Sequence, residues 1–217
     1  MQAIQLAGEE MLLCGDHAMV WGARRTLLIA DAHFGKAAAF RARGMPVPVG
    51  TTANNLVRLE ALVDAHEVER VVFLGDMFHA RESHAPATLA ALRAWREKRA
   101  DLQLLLVEGN HDASAGAPPA DLRIELVGEP YIEGPFAFCH HPKPFIDSYV
   151  LAGHLHPAYR LSGRRESLRL PCFWLGEQVG VLPAFGDFTG TSTIAPLAGD
   201  RIYAVADGRV IAMPGIQ

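Results

Sequence analysis

The sequence of 217 residues is poor in cysteine, and this shortage argues against several kinds of protein. Its three cysteines, Cys14, Cys139 and Cys172, are odd in number and far apart, so we expect neither a disulfide framework nor a zinc ribbon. No apolar run approaches the roughly 18 residues of a membrane span, and we do not expect an integral membrane protein. The first residues also lack the basic and apolar segments of a secretory signal. We therefore expect a protein of the reducing cytoplasm.

The sequence has no excess of positive charge either. Its formal net charge is −4 and its isoelectric point is about 6.2, so any contact with nucleic acid has to be local. Half of the residues are hydrophobic and a fifth are charged, which is the composition of a globular chain with a sizeable core. No repeat, low-complexity tract or linker divides the chain, and we expect residues 1–217 to form a single domain.

Strand and helix signals alternate in the first half of the sequence. Buried-strand patterns occupy residues 26–30, 71–74 and 102–107, and helical patterns begin near Thr51 and at Pro86. Residues 34–50 and 113–120 are predicted to be mostly loop. After Pro157 the helical periodicity disappears, and short strands follow up to a hairpin signal at Asp207-Gly208. The pattern predicts an α/β fold with two packed sheets and a strand-rich C-terminal part.

Polar residues follow five of the predicted strands directly at their carboxyl ends. They are Asp31, His33, Asp76, Asn110, His140, His154 and His156. Ligand sites in α/β sheets lie beyond these strand ends, so we expect the seven side chains to converge. Carboxylate, amide and imidazole ligands suit Mn²⁺, Fe or Zn²⁺. Seven ligands are too many for one tetrahedral zinc ion and fit two ions about 3.5–4 Å apart with one bridging carboxylate.

The charge of such a site indicates its substrate. Two carboxylates beside two dications leave a formal charge of +2, which favours an anionic substrate such as a phosphate ester. Hydrolysis of phosphate esters needs a rate enhancement on the order of 20 kcal/mol, whereas a general base alone supplies roughly 10²–10⁴-fold. Two metal ions can lower the pKa of a shared water toward ~7 and orient the ester. The sequence therefore predicts a metal-dependent phosphoester hydrolase.

The same residues form motifs in a fixed order. Five motifs lie between residues 27 and 156: Asp31-x-His33, Gly75-Asp76, Gly109-Asn110-His111-Asp112, His140 and Gly153-His154-x-His156. Together they resemble the ordered motifs of the calcineurin-like metallophosphoesterases. The resemblance implies a β-sandwich flanked by helices in four layers. It also implies two divalent metal ions, with Mn²⁺ preferred and Fe or Zn²⁺ as alternatives. The fourth motif usually has glycine after its histidine. Here His141 follows, and we prefer His140 as the ligand because it comes directly after the strand.

The family resemblance also implies a role for each motif residue. The first metal would be held by Asp31, His33, Asp76 and His156, and the second by Asp76, Asn110, His140 and His154. Hydroxide activated by the metals would attack phosphorus. His111 would protonate the leaving oxygen as the general acid, oriented by Asp112.

One segment resembles a particular branch of the family, the bacterial ligase-associated DNA-damage-response endonucleases. This branch-like segment consists of residues 31–36, Phe40-Arg41 and residues 44–51. This resemblance implies a phosphodiesterase or endonuclease that acts on DNA in repair, with a DNA ligase and a helicase as partners. Lys36 and Arg41 are candidate phosphate contacts, and His79 is a candidate substrate contact. The sequence leaves open whether His84 and Arg43 also touch substrate.

Two other functions fit the same residues. The substrate could be a small nucleotide or a pyrophosphate, which the acidic net charge mildly favours. Alternatively, the chain could be a catalytically weak scaffold of a repair complex, because the fold alone does not prove activity. The complete ligand set and His111 argue against the scaffold.

Overall fold

The computed structural model describes residues 1–47, 50–163 and 167–215, and its first sheet has seven strands in chain order. They are β1 (Gln2–Leu6), β2 (Glu9–Cys14), β3 (Ala18–Trp21), β4 (Thr26–Ile29), β5 (Arg70–Leu74), β6 (Gln103–Val107) and β7 (Ile124–Val127). Strands β1 to β4 pair antiparallel, and β4 to β7 pair parallel. Pro48 and Val49 of the branch-like segment lie outside the described residues.

The second sheet is built entirely from the later part of the chain. Its strands are β8 (Tyr131–Glu133), β9 (Phe136–Phe138), β10 (Tyr149–Ala152), β11 (Pro157–Ser162), β12 (Ser167–Leu175), β13 (Val179–Val181), β14 (Ser192–Thr193), β15 (Arg201–Ala206) and β16 (Arg209–Ala212). The predicted hairpin joins β15 to β16, and Asp207 and Gly208 have the φ values of 48° and 69° that a tight hairpin turn requires. The strand-rich C-terminal part is therefore confirmed.

Four α-helices are present among the described residues, and all lie between strands of the first sheet. They are α1 (Lys36–Ala42), α2 (Thr51–Ala65), α3 (Pro86–Lys98) and α4 (Asn110–Ala115). Single 3₁₀ turns occupy Gly22–Arg24, Arg81–His84 and Ala120–Leu122. Helices α2 and α3 begin where the sequence predicts. Helices α1 and α4 extend into the segments predicted as loops, because one or two helical turns are too short to show an amphipathic period. No helix in the described ranges is long and apolar enough to cross a membrane.

The core lies on both faces of the first sheet. Leu27 and Ile29 of β4 pack in the cluster that contains the helix residues Leu59 and Leu92, whereas Leu28 packs in the cluster that contains Phe138 of the second sheet. Successive side chains of a strand point to opposite faces, so a continuous apolar run is buried on both. The α/β fold with two packed sheets is confirmed, and the parallel strands direct their carboxyl ends to the loops described next.

Candidate active site

The loops that follow β4 and β10 bring the first group of predicted ligands together. Asp31, His33 and His156 each offer a ligand atom within 4.8 Å of the others. Asp31 Oδ1 and His156 Nε2 are 3.2 Å apart. Burial lowers the pKa of His156, but the Asp31 carboxylate outweighs it, and the net shift is upward. Burial also lowers the pKa of His33 far below its ordinary value, so that its ring is neutral and able to bind a cation.

Asp76 lies between this group and the next. Its Oδ2 is 3.9 Å from His33 Nε2, and its Oδ1 is 3.5 Å from His140 Nε2. The same Oδ1 accepts the backbone N–H of His111 at 2.9 Å. Burial raises the pKa of Asp76, although nearby His140 and the His111 N–H oppose the rise. A buried carboxylate with one oxygen directed to each side can contact two cations at once.

The second group surrounds His140, which is fully buried. Its Nδ1 lies 3.1 Å from the carbonyl oxygen of Leu74, a suitable acceptor for an Nδ1–H. In that neutral tautomer Nε2 carries a lone pair, and it lies 3.0 Å from both Asn110 Oδ1 and His154 Nδ1. His141 also has a ring nitrogen within 4.8 Å of those of His140 and His154. The electron-pair donors of these side chains thus lie close together, and a cation bound between them would relieve their mutual repulsion.

The backbone is strained at these residues. Left-handed φ values, between 45° and 69°, occur at Asp31, His33, Asp76, His154 and His156. Each such residue costs on the order of 1–3 kcal/mol, and such strain clusters at functional sites. The Gly75 carbonyl accepts the Asp31 N–H at 3.2 Å, and the Asp76 carbonyl accepts the His33 N–H at 2.9 Å. The loops after β4 and β5 therefore hold each other in this conformation.

Two motif glycines leave no room for a side chain beside the ligands. A Cβ at Gly75, which has φ 77°, would overlap the His140 ring, and a Cβ at Gly153 would overlap the Asp31 carboxylate. These glycines are therefore required for the close approach of backbone and ligand.

The chemistry of the assembled side chains fits divalent metal ions. Asp31 Oδ1 is buried and accepts no hydrogen bond among the described residues, because His156 Nε2, 3.2 Å away, carries a lone pair when the His156 Nδ1–H donates to the Gly190 carbonyl. A buried anionic oxygen without a donor is costly unless a cation compensates it. All three cysteines are free and buried, and burial raises the pKa of the Cys139 thiol to about 11, so no thiolate competes. The side chains that could hold a cation here therefore offer oxygen and imidazole nitrogen.

His111 and His79 stand beside the ligand groups as a stacked pair. Their ring centroids are 4.5 Å apart, and each ring lies 5.2 Å from that of His33. His111 Nδ1 is 2.8 Å from the carbonyl oxygen of His79. This differs from the expectation that Asp112 orients His111. Both Asp112 oxygens accept backbone N–H groups instead, from Phe78 at 2.9 Å and from residue 109 at 3.0 Å. The buried Asp112 carboxylate therefore joins the loop after β5 to the loop after β6.

The two predicted phosphate contacts, Lys36 and Arg41, have different surroundings. Lys36 is half-buried. Burial lowers its pKa, and the opposing charges of Asp31 and Asp76 only partly offset this shift. Arg41 donates to the carbonyl oxygen of Val47 at 3.3 Å.

Two further candidates have partners away from the ligand groups. Arg43 forms an exposed ion pair with Glu82 at 3.4 Å, and the His84 ring packs against Phe78 with a 4.6 Å centroid separation. Lys36 is thus close enough to Asp31 and Asp76 to interact with their charges.

Sequence reasoning missed Glu129, which supports the second group. Its carboxylate accepts the backbone N–H groups of His140 at 2.7 Å and His141 at 2.9 Å, and it lies 2.6 Å from His141 Nδ1. Although burial raises the pKa of Glu129, these contacts with His141 and His140 outweigh it and lower the pKa. No motif or strand end marks Glu129 in the sequence.

Comparison with known proteins is consistent with this geometry. Residues 24–170 match the calcineurin-like phosphoesterase family. The crystal structure of Pseudomonas putida nuclease MPE has 45% sequence identity and a TM-score of 0.88, and the match covers 98% of this chain and 99% of that one. No curated protein sequence matches.

Two other solved structures are less similar. Yfce, a phosphoesterase from E. coli, has 14% identity and a TM-score of 0.42 over 88% of this chain and 99% of its own. The protein AQ665 from Aquifex aeolicus has 17% identity and a TM-score of 0.41 over 64% and 81%. Likenesses this weak carry no conclusion, whereas the family match covers well over half of the chain. The chain therefore belongs to the calcineurin-like phosphoesterase family and is a metal-dependent phosphoesterase.

Proposed function

We propose that this protein is a binuclear-metal-dependent phosphodiesterase that cleaves DNA, and that it acts in DNA repair. The position of Asp76, with one oxygen toward His33 and the other toward His140, is the main support for two ions. The nuclease with 45% identity over nearly the whole chain supports a nucleic-acid substrate. The branch-like segment that includes Lys36 adds the expectation of repair, with a ligase and a helicase as partners.

The ligand roles follow from the two groups. In this proposal Asp31, His33, Asp76 and His156 hold one ion, and Asp76, Asn110, His140 and His154 hold the other. The oxygen and imidazole donors favour Mn²⁺ over softer ions, with Fe or Zn²⁺ as alternatives. When bound, the ions would offset the charge of the phosphate oxygens and lower the pKa of water.

His111 is the proton donor in this proposal. An Nδ1–H donated to the His79 carbonyl fixes the ring, and in the protonated ring Nε2 carries the proton for the leaving oxygen. Stacking on His79 limits rotation of the His111 ring. The charge of Lys36, close to Asp31 and Asp76, attracts the phosphodiester and helps to hold it.

An activity screen tests the proposal. The protein is stripped of metal, supplied with Mn²⁺, and assayed on single-stranded and duplex DNA, on bis-p-nitrophenyl phosphate, and on a dinucleoside polyphosphate. We expect metal-dependent cleavage of DNA and of the simple diester, with DNA binding that weakens steeply as salt increases. Hydrolysis of the polyphosphate with intact DNA would favour the small-substrate alternative. Absence of any turnover by the metal-loaded protein would favour the scaffold.

A further inference from the structure

A line of aromatic rings leads from the ligand groups to the surface. The His79 ring lies 5.2 Å from His33 and 5.7 Å from Phe40, and Phe40 lies 5.5 Å from Phe188 in an edge-to-face contact. Phe188 is 38% exposed, although most large apolar side chains near the site are buried. A solvent-exposed aromatic ring in this position can stack against a flat ligand.

The loop that carries Phe188 is tied to the ligand groups at both ends. At its start, the Gly186 N–H donates to the Asp31 carbonyl at 3.1 Å. At its end, the Gly190 carbonyl lies 3.0 Å from His156 Nδ1. Between them, the Thr189 hydroxyl donates to the Gly186 carbonyl at 2.8 Å and closes the turn. Phe188 is thus held at a fixed position relative to the first ligand group.

Phe40 is held from the other side of the line. It belongs to α1, whose preceding residue Gly35 donates its N–H to the Thr52 hydroxyl of α2 at 3.0 Å. The same short helix begins with Lys36, which interacts electrostatically with Asp31 and Asp76. One helix therefore carries both half-buried Lys36 and the aromatic ring that contacts Phe188.

We propose that Phe188, supported edge-to-face by Phe40, is a stacking shelf for a nucleobase of the DNA strand whose phosphodiester lies at the ligand groups. This inference rests on the proposed function. Every nucleobase has a flat π-face, and stacking on an aromatic side chain strengthens binding by about 5- to 150-fold per base. The shelf would take a base that is free of its duplex partner, because paired bases are already stacked.

The test compares two substrates of equal charge. One is an oligothymidylate, and the other is a strand of the same length whose central linkages carry abasic sites. We expect wild-type protein with Mn²⁺ to have a KM about tenfold lower for the thymidylate. In Phe188→Leu the ratio of the two KM values should fall close to one, whereas Phe188→Trp should keep it. The matched control is Ile211→Ala in β16, which removes an exposed aliphatic side chain away from the rings.

A measurement of DNA binding without cleavage tests base stacking on the shelf independently of the enzymatic activity. With Ca²⁺ in place of Mn²⁺ to slow cleavage, stacking should quench the fluorescence of a strand that contains 2-aminopurine, and Phe188→Leu should abolish the quenching. Unchanged KM ratios and unchanged quenching in Phe188→Leu would overturn the shelf even if DNA is cleaved. Quenching by a protein that cuts no DNA would overturn the proposed function and keep the shelf. Thermal unfolding of each variant shows whether a loss comes from misfolding.

Discussion

The two ligand groups are held in different ways. Asp31 is fully buried and His33 is 4% exposed, and both are fixed by backbone hydrogen bonds between the loops after β4 and β5. Asn110 and His154 of the second group are exposed, and the backbone N–H of its one fully buried member, His140, donates to the carboxylate of Glu129. A buried, backbone-held group needs little rearrangement to bind an ion, whereas an exposed one is more easily disturbed. We expect the first group to bind its ion more tightly than the second.

The largest effect should come from the residue that both groups share. Asp76→Asn removes one negative charge between His33 and His140, so both ions should be lost or weakened. We expect turnover to fall by at least about a thousandfold, since binuclear sites owe several kcal/mol of barrier lowering to their ions. Elemental analysis together with hydrolysis of bis-p-nitrophenyl phosphate measures this. Asp207→Asn, in the exposed β15–β16 turn, is the control. Retention of two ions at full affinity would contradict the bridging position.

His111→Asn should separate proton donation from ion binding. Its backbone N–H to Asp76 remains, so both groups should keep their ions, while loss of a general acid should reduce turnover by about 10²–10⁴-fold. Elemental analysis and cleavage of DNA, whose alkoxide leaving group needs a proton, measure the two effects, with His66→Asn at the end of α2 as the control. Near wild-type turnover by the variant would remove His111 from the mechanism.

Glu129→Gln should distinguish the two groups. The neutral amide is a weaker acceptor for the His140 and His141 N–H groups, so the second ion should bind about 10- to 100-fold more weakly while the first is unaffected. Calorimetric titration with Mn²⁺ resolves the two affinities. The control is Glu125→Gln, an exposed carboxylate of β7. Equal weakening of both ions would show that the groups are not held independently.

The smallest effect concerns a histidine behind the first group. His17 Nδ1 lies 2.8 Å from the carbonyl oxygen of Ala184, which pairs with Ala30 beside Asp31. Burial lowers the pKa of His17, so the folded protein favours its neutral form. This contribution to stability is present above the unfolded-state pKa of about 6.5 and is lost as the pH falls below it.

His17→Gln should therefore make the free energy of unfolding less dependent on pH. Urea unfolding of both proteins at pH 7.5 and pH 5.5 measures the change. We expect the stability advantage of the wild type to shrink on acidification. A constant difference between the two proteins would mean that His17 does not titrate between folded and unfolded states in this range.

Sequence reasoning succeeded where the signal is local. The run Leu27 to Ala30 is apolar without interruption, which predicts a strand buried on both faces, and a polar residue directly after such a strand has to lie at its carboxyl end. That logic predicted the convergence of Asp31 with His140 and His154, which the structure shows. Their assignment as ligands and the single-domain organisation stay predictions.

The misses involve contacts between segments that are distant in the chain. The partner of His111 is the backbone carbonyl of His79, and a carbonyl carries no sequence signal. Glu129 looks like any surface carboxylate until the loop places it under His140. Phe188 follows no motif, and only the fold brings it to Phe40. These contacts arise from tertiary packing, which periodicity and spacing do not encode.

The lack of space for a Cβ atom at Gly75 and Gly153 limits how the thermostability of this enzyme can be increased. Exchange of glycine for alanine is a common route to thermostability, because it reduces the freedom of the unfolded chain. At these two positions the added methyl group would occupy space that the His140 ring and the Asp31 carboxylate already fill. At Gly22 and Gly128 the same methyl group meets no atom within 4 Å, so stabilising libraries belong there.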